Sequence, residues 1–588
     1  MSTTHLINLP EWRLKKVNTD LLEGLQKDFD LSLPIAKSIA SMEFGSQKEI
    51  EDFLNPSMEL WHSKSSFPSL EGGAKSLHQA LINKKRICIH GDFDTDGMLG
   101  SLVLKSFFEK LNAPHFCIIP KRNEGHGLSE SSLNRAFKEK AELIISVDCG
   151  VNAISETEFA RNHGVDVLIT DHHLPDESLP NALAITNPQL DHAPEFKGLS
   201  GAGVALKLAL ATIDLFEKPP LSNEEIEDYL NQALVITAIA TVADVMPLLG
   251  LNRALVKSAL NNFDKVTNYG LIELIKLAKI KFPANVEDLS FQLIPRINSA
   301  QRMERGDLIW SLFNAKSQEE AKVICRELES LNIERKSLLE GHAKNVMTSL
   351  EGKSFKDQTA IFIEGTDWLE GFSGLIAQRV LQKYQKPSIV MLTSDKDKVV
   401  ASCRSPKGWH LKMALDQCED YLEASGGHAQ AAGFRTKPEY VNDLKASLEQ
   451  QLSSQKQIGE ESQKLFILHE LPFRDINMGL HQTLQSLEPH GHANPKPLFA
   501  CKGLMLDGPL KFMGKDQSHV SFQLFQPGLP SLAAIAFGMG DIFRNINLSG
   551  KFDLVFYLSM SPYKPMLQLQ VQGVREHRTQ QTHKPNIT

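Results

Sequence analysis

The chain has 588 residues, of which 42% are apolar and 23% charged, and its net charge is −8. That is too long for one hydrophobic core, so about three to five domains are expected. The polar start MSTTHLINLPEWRLKK and the lack of any apolar run of about eighteen residues argue against a secreted or membrane-spanning chain, and the seven cysteines without a CxxC pair argue against a disulfide framework or zinc ribbon and fit a reduced cytoplasm.

Residues 1–80 mix short amphipathic helices with polar turns and are expected to form an N-terminal helical segment packed on the catalytic domain. Over 81–315, short apolar runs at Ile87–Ile89, His115–Ile119, Leu143–Val147, Val165–Ile169 and Ala182–Thr186 alternate with helical stretches such as Met98–Leu111 and Ala153–His163. Such alternation predicts a parallel sheet covered on both faces. Residues 203–260 read as mostly helical. A long connecting helix is expected over 316–352, because Ile324, Leu328, Leu331, Leu338 and Val346 form a thin apolar stripe among charges.

A second α/β domain is expected over 353–450, with strands at Thr359–Ile363 and Ser388–Leu392, and then a polar linker at 451–464. Five short strands, Leu498–Leu506, His519–Phe525, Leu532–Phe537, Phe552–Ser559 and Met566–Val571, suit a small β-barrel such as an OB-fold over 465–573. Its phenylalanines 499, 512, 522, 525 and 537 are expected mainly as core rather than as a base-stacking platform. From residue 461 onward twelve Lys and Arg face nine Asp and Glu, a local charge of +3 that leaves −11 for the rest. The tail 574–588 is polar and expected to be disordered.

Four segments offer candidate metal ligands: ICIHGDFDTDG with His90, Asp92, Asp94 and Asp96; LIISVDCG with Asp148; VLITDHH with Asp171, His172 and His173; and ATVADVMPL with Asp244. In the first three, acids or imidazoles come directly after an apolar, β-branched run. In an open parallel sheet the carboxyl ends of the strands lie along one edge, where ligands bind. One Asp after a strand is ordinarily a turn or cap residue, but four such segments in succession point to a shared site. A donor set of carboxylate and imidazole without thiolate favours Mn²⁺ over structural zinc and also accommodates Mg²⁺. Two such ions, roughly 3.5–4 Å apart, form the usual clamp for phosphoryl chemistry.

GDFDTDG, VDCG, TDHH and TVADVMPL resemble, in order, the motifs of the DHH phosphoesterases. SGAGVALKL (200–208), PRINSAQRM (295–303), ASCRS (401–405) and SGGHAQAAGF (425–434) narrow the resemblance to the RecJ exonucleases, over roughly residues 40–570. It implies an α/β multidomain fold: a DHH parallel-sheet catalytic domain (81–315), a long connecting helix, a DHHA1-like substrate-binding domain (353–450) and an OB-fold nucleic-acid-binding barrel (465–573). It implies that His90, Asp94 and Asp148 hold one metal and that Asp96, Asp148, His172 and Asp244 hold the other. Asp92 is a weaker ligand or supports one, and His173 faces the scissile phosphate. Arg296, Asn298, Arg302, Ser402, Arg404, Gly426, Gly427 and His428 are implied as DNA contacts.

The implied activity is 5′→3′ hydrolysis of single-stranded DNA to mononucleotides by a monomeric enzyme of recombination and repair. Single-strand binding protein and a RecQ-type helicase are the implied partners. Two other readings are a phosphoesterase of short oligonucleotides or cyclic dinucleotides, and a non-catalytic nucleic-acid-binding scaffold. The chain departs from the family pattern at Gln301 (SAQR for AAGR), at Leu369 in place of His, and at His126 in place of Tyr.

Overall fold

The computed structural model describes residues 11–577, apart from 43, 63–65, 367, 396–397, 456–463, 515 and 562–563. Most of the expected linker and most of the expected tail lie outside the described residues. The chain divides into two compact units, residues 56–462 and the two terminal segments together. No helix among the described residues is long and apolar enough to cross a membrane, and all seven cysteines are free.

The first strand, β1 (Glu11–Leu14), belongs with the C-terminal strands. The larger unit starts from a five-stranded parallel sheet: β2 (Ile87–Gly91), β3 (His115–Ile118), β4 (Leu143–Val147), β5 (Asp166–Thr170) and β6 (Ala184–Thr186), in the order β3-β2-β4-β5-β6. Helices Pro68–Ile82, Thr95–Lys110 and Gly201–Ile213 pack in the core on one face. Helices Glu130–Lys138 and Ile154–Asn162 cover the other. With both faces covered, β2 and β4 are buried throughout, so their sequences are continuously apolar rather than alternating. The order reverses at β2, since β3 lies on one side of it and β4 on the other. That switch point is where such sheets bind ligands.

The connecting helix is Gln318–Leu350, 33 residues long and N-capped by Ser317, which accepts from the Glu320 N–H. Its buried stripe is Ala321, Cys325, Leu328, Asn332, Arg335, Leu339, Ala343, Val346 and Leu350. The expected stripe is thus rotated: Leu338 is exposed, and two polar side chains occupy the middle of the buried face. The second sheet of this unit comprises β7 (Ile361–Gly365), β8 (Ser388–Asp395), β9 (Lys398–Arg404), β10 (Ala424–Gly427) and β11 (Ala431–Thr436), in the order β10-β11-β9-β8-β7. Only β7 and β8 run parallel.

The smaller unit corrects the expected place of the N-terminal segment. Its described residues up to Asn55 cluster with residues 464–577 rather than with the catalytic sheet, whereas Pro56 onward belongs to the larger unit. The physical reason is that β1 pairs in parallel with β12 (Lys464–Ile467), and Trp12 packs with Leu465 against Ile467, Ala500 and Val555. The remaining strands are β13 (His469–Glu470), β14 (Phe499–Leu506), β15 (Lys511–Met513), β16 (His519–Phe525), β17 (Leu532–Ala536), β18 (Phe552–Met560) and β19 (Leu567–Glu576). The pairings β14–β18, β18–β19, β19–β17, β17–β16 and β16–β14 return to their starting strand, a circuit of five. β19 runs to Glu576, so the ordered chain extends past the expected start of the tail.

Candidate metal centre

Three acids occupy equivalent positions one step beyond three adjacent strands. The Asp92 N–H donates to Val147 O (3.0 Å), that of Asp148 to Thr170 O (2.9 Å), and that of Asp171 to Thr186 O (3.1 Å). Each acid is thus held by the last carbonyl of the neighbouring strand, and the sheet register itself lines them up.

Beyond β2 the chain turns into helix Thr95–Lys110. Asp94 is its N-cap, accepting from the Gly97 N–H at 3.0 Å. Asp96 accepts from the Gly201 and Ala202 N–H groups at 2.6 and 2.9 Å, so the start of helix Gly201–Ile213 grips this carboxylate. Asp148 takes a left-handed backbone, φ 63°, which Asp tolerates better than most residues. Gly201 is required beside it, because a Cβ there would lie 2.4 Å from the Asp148 Cβ. Asp244 ends helix Asn223–Ala243 as its C-cap.

His172 Nε2 stands 3.0 Å from Asp148 Oδ1, 3.6 Å from Asp244 Oδ2 and 3.9 Å from Asp96 Oδ2. Three groups have ligand atoms within 4.8 Å of one another: Asp96, His172 and Asp244; Asp92, Asp94 and Asp148; and Asp148, His172 and His173. His90 falls in none of these groups, but both its ring nitrogens are buried without a hydrogen-bond partner among the described residues, and Asp148 Oδ1 and His172 Nε2, though 3.0 Å apart, are buried without a bond of hydrogen-bond geometry. Buried polar atoms normally have partners. A divalent cation is the partner that would satisfy oxygen and imidazole lone pairs together. The one thiol nearby, Cys149, is held well above its ordinary pKa by burial and does not offer a thiolate.

The electrostatics agree. Burial, then the carboxylates of Asp96, Asp94 and Asp92, push Asp148 well above the ordinary carboxylate range. Burial, then Asp96 and Asp94, raise Asp244 to about 8, and burial with Asp92 and Asp96 raises Asp94 to about 6. Burial lowers His90 to about 4, keeping it neutral. So much mutually repelling acid in one place is relieved by bound cations.

Asp171 organises rather than ligates. Its Oδ1 accepts from the His172 and His173 N–H groups (2.8 and 3.2 Å) and pairs with His173 Nδ1 (2.8 Å), while its Oδ2 accepts from the Val151 N–H (2.9 Å). The bond to Asp171 raises His173 to about 9, and the His173 side chain is 55% exposed, open to a substrate. Asp92 is similarly committed: its Oδ1 accepts from the Gly127 N–H and its Oδ2 pairs with His126 Nδ1, both at 3.0 Å. The family departure at His126 therefore lands on this carboxylate.

The expected DNA contacts divide. Arg296 forms a two-pronged pair with Glu329 (2.8 and 3.2 Å), tying its helix to the long helix. Asn298 accepts from the Thr95 hydroxyl at 2.6 Å, clipping its helix to the start of helix Thr95–Lys110. Ser402 Oγ meets Ser373 Oγ at 2.8 Å. Gly426 and Gly427 lie in the exposed edge strand β10, and the His428 N–H donates to Ala431 O at 2.7 Å. Arg302 donates to Gly371 O (2.6 Å) and Arg404 to Cys403 O (2.8 Å).

Arg302 is pushed down to about 10 by burial and then by the charges of Arg122, Arg335 and Arg404. None of these four guanidiniums has a carboxylate within 4.0 Å among the described residues, so their charge is left for an anion. Arg122, lowered by burial and attracted by Glu370, Asp94 and Asp92, is absent from the contacts expected from sequence. The signal available was its place in the loop that follows β3, beyond the same carboxyl edge of the sheet as the acids.

Family models match as the DHH family N-terminal domain over 86–240, the DHHA1 domain over 357–454 and the RecJ OB domain over 469–573. The single-stranded-DNA-specific exonuclease RecJ of Bacillus subtilis is 30% identical, over 96% of this chain and 71% of its own. That of Thermus thermophilus is 28% identical, over 86% and 70%. The crystal structure of RecJ from Thermus thermophilus in complex with Mn²⁺ shares the fold, with TM-score 0.79 at 24% identity, over 97% of this chain and 80% of that one. The chain belongs to the RecJ family of single-stranded-DNA-specific exonucleases.

Proposed function

We propose that this chain shortens single-stranded DNA from its 5′ end, hydrolysing phosphodiester bonds and releasing mononucleotides. The observation that carries this reading is the nearness of buried ligand atoms without hydrogen-bond partners, on His90, Asp148 and His172, to the guanidiniums of Arg122, Arg302 and Arg404, none of which has a carboxylate within 4.0 Å among the described residues. Relatives named as single-stranded-DNA-specific exonucleases support it.

The donor set fits two divalent cations, manganese by preference or magnesium, and the relative from Thermus thermophilus has been solved with each. His90, Asp94 and Asp148 would hold one, and Asp96, Asp148, His172 and Asp244 the other. When bound, they supply a water that ionises near neutral pH and positive charge against the phosphate oxygens. The remaining work belongs to the protein. Asp171 fixes His173 through Nδ1, leaving Nε2–H to face the phosphate as a charge stabiliser or proton donor. Arg122, Arg302 and Arg404, with Ser402 and the edge N–H groups of Gly426 and Gly427, seat the strand end; a guanidinium suits two-pronged phosphate contact. Arg296 acts differently, bracing the floor of the site through Glu329.

We place the enzyme in cytoplasmic recombination and repair, as a monomer working beside single-strand binding protein and a RecQ-type helicase. Digestion of a single strand labelled separately at each end, with Mn²⁺ and Mg²⁺ compared, tests the reading. Early release of the 5′ label as a mononucleotide is expected. Release first from the 3′ end would overturn the polarity, and hydrolysis confined to dinucleotides would overturn the substrate.

A further inference from the structure

The loop from Asp92 to Asp96 acts as a partition. Asp92 and Asp94 face the acidic group with Asp148, while the Phe93 ring between them lines a separate cavity of ≈ 240 Å³. The cavity walls are apolar and aromatic, with Met98, Ile119 and Trp310 beside Phe93. Lys121 and Arg122 also belong to the lining, the Arg122 guanidinium carbon lying 5.2 Å from the Phe93 ring centre. Glu304 and Asp307 also reach the lining, but Asp307 is already paired with Arg305 at 3.1 Å.

Gln301 is the unusual member. It lines the cavity, is 7% exposed, and its Nε2 has no hydrogen-bond partner among the described residues. A buried polar group left without a partner is destabilising, so a ligand that pairs with it gains affinity.

We propose that this recess holds the nucleobase of the terminal nucleotide at the end being shortened, with the Gln301 amide bonded to the base edge and Phe93 and Trp310 as its walls. The inference rests on the nuclease reading and adds a subsite to it. The cavity falls below the roughly 300–1,000 Å³ of sites for drug-sized ligands, which suits one flat heterocycle. Apolar walls with Lys121 and Arg122 in the lining match a neutral base that carries an anionic phosphate. Every base has a donor or acceptor on its edge and a stacking face, so one amide and two aromatic walls serve all four.

The test uses the full chain with Mn²⁺. Thymidine 5′-monophosphate and deoxyribose 5-phosphate are titrated calorimetrically into the wild type, Gln301→Ala, Gln301→Met and Trp310→Ala. The wild type should prefer the nucleotide about tenfold, and each Gln301 variant should reduce that preference to about threefold, with sugar-phosphate affinity moving less than about twofold. Equal binding of the two ligands by the wild type overturns the proposal, and so does a preference that survives both Gln301→Ala and Trp310→Ala. The Met variant keeps the volume if Ala fails to fold, and the wild-type comparison decides without any variant. Strands ending in a normal or an abasic nucleotide separate this inference from the nuclease reading. A KM about tenfold higher for the abasic end supports the subsite, whereas no hydrolysis of either strand, with the base preference intact, overturns the nuclease reading and leaves the subsite standing.

Discussion

The strand ends of β2, β4 and β5 and the five-strand circuit from β14 to β19 express the same alternation of apolar runs and turns in opposite ways. In the parallel sheet every strand delivers its carboxyl end to one edge, so the residues just past each strand make up the site. In the mostly antiparallel circuit strand ends alternate in direction, and the sequence reports chiefly which side chains face inward: Phe499 and Phe522 are buried, while Phe537 is 53% exposed. Chemistry is concentrated in the first region, together with stored repulsion and a strained backbone. The second is a packed framework in which single surface residues carry little.

The comparison is sharpened most by Asp148→Ala, which removes the ligand proposed to be common to both cation positions. Loss of about 4 kcal/mol of charge stabilisation, or roughly 10³-fold in rate, is expected with the fold intact by circular dichroism. Hydrolysis within tenfold of wild type would refute the sharing. Gly201→Ala should rank second, since the added methyl would collide with Asp148; a stability loss of about 1–3 kcal/mol in urea unfolding and a rate loss near 10²-fold are expected. Asp171→Asn keeps the shape but removes the charge holding His173, and should lower the rate about 10–100-fold in steady-state assays.

A smaller effect concerns pH. Asp94 and Asp244 rise to about 6 and about 8 from an ordinary 3.8, so the folded metal-free protein keeps protons that the unfolded chain releases. Stability from these groups is therefore unaffected below pH ~4 and falls as the pH climbs from about 4 to about 8. Mn²⁺ replaces those protons, so its increase in Tm over an EDTA control should be larger at pH 8 than at pH 6. An equal increase at both would count against the cluster as its binding place. The least sensitive region should be the circuit, where Phe537→Ala is expected to weaken single-strand binding about fivefold, near the low end for one stacking residue, in a fluorescence titration. A hundredfold loss there would break the contrast between the two regions.

The parallel sheet and the acids at its edge were legible because a buried strand announces its own end: GDFDTDG, VDCG and TDHH each begin where β-branched residues stop. The contacts made by long side chains were not. Nothing in PRIN tells that Arg296 commits its guanidinium to Glu329, 33 residues away, while Arg122, in an undistinguished loop, joins Arg302 and Arg404. The turn of the long helix that faces inward was also misjudged, because Asn332 and Arg335 are polar yet buried. The pairing of β1 with β12 joins residues far apart in sequence, which local periodicity cannot reveal.

That last pairing sets a timetable. Glu11–Leu14 leave the ribosome early, but their partner Lys464–Ile467 is translated some 450 residues later. At about 5–20 residues per second the first strand waits on the order of half a minute or more with an unpaired edge, while the catalytic sheet, whose strands lie close together in sequence, has all its pieces. Synthesis itself therefore orders assembly, hydrolytic centre first and terminal module last. A chain truncated before residue 464 would leave the β1 edge without its mate.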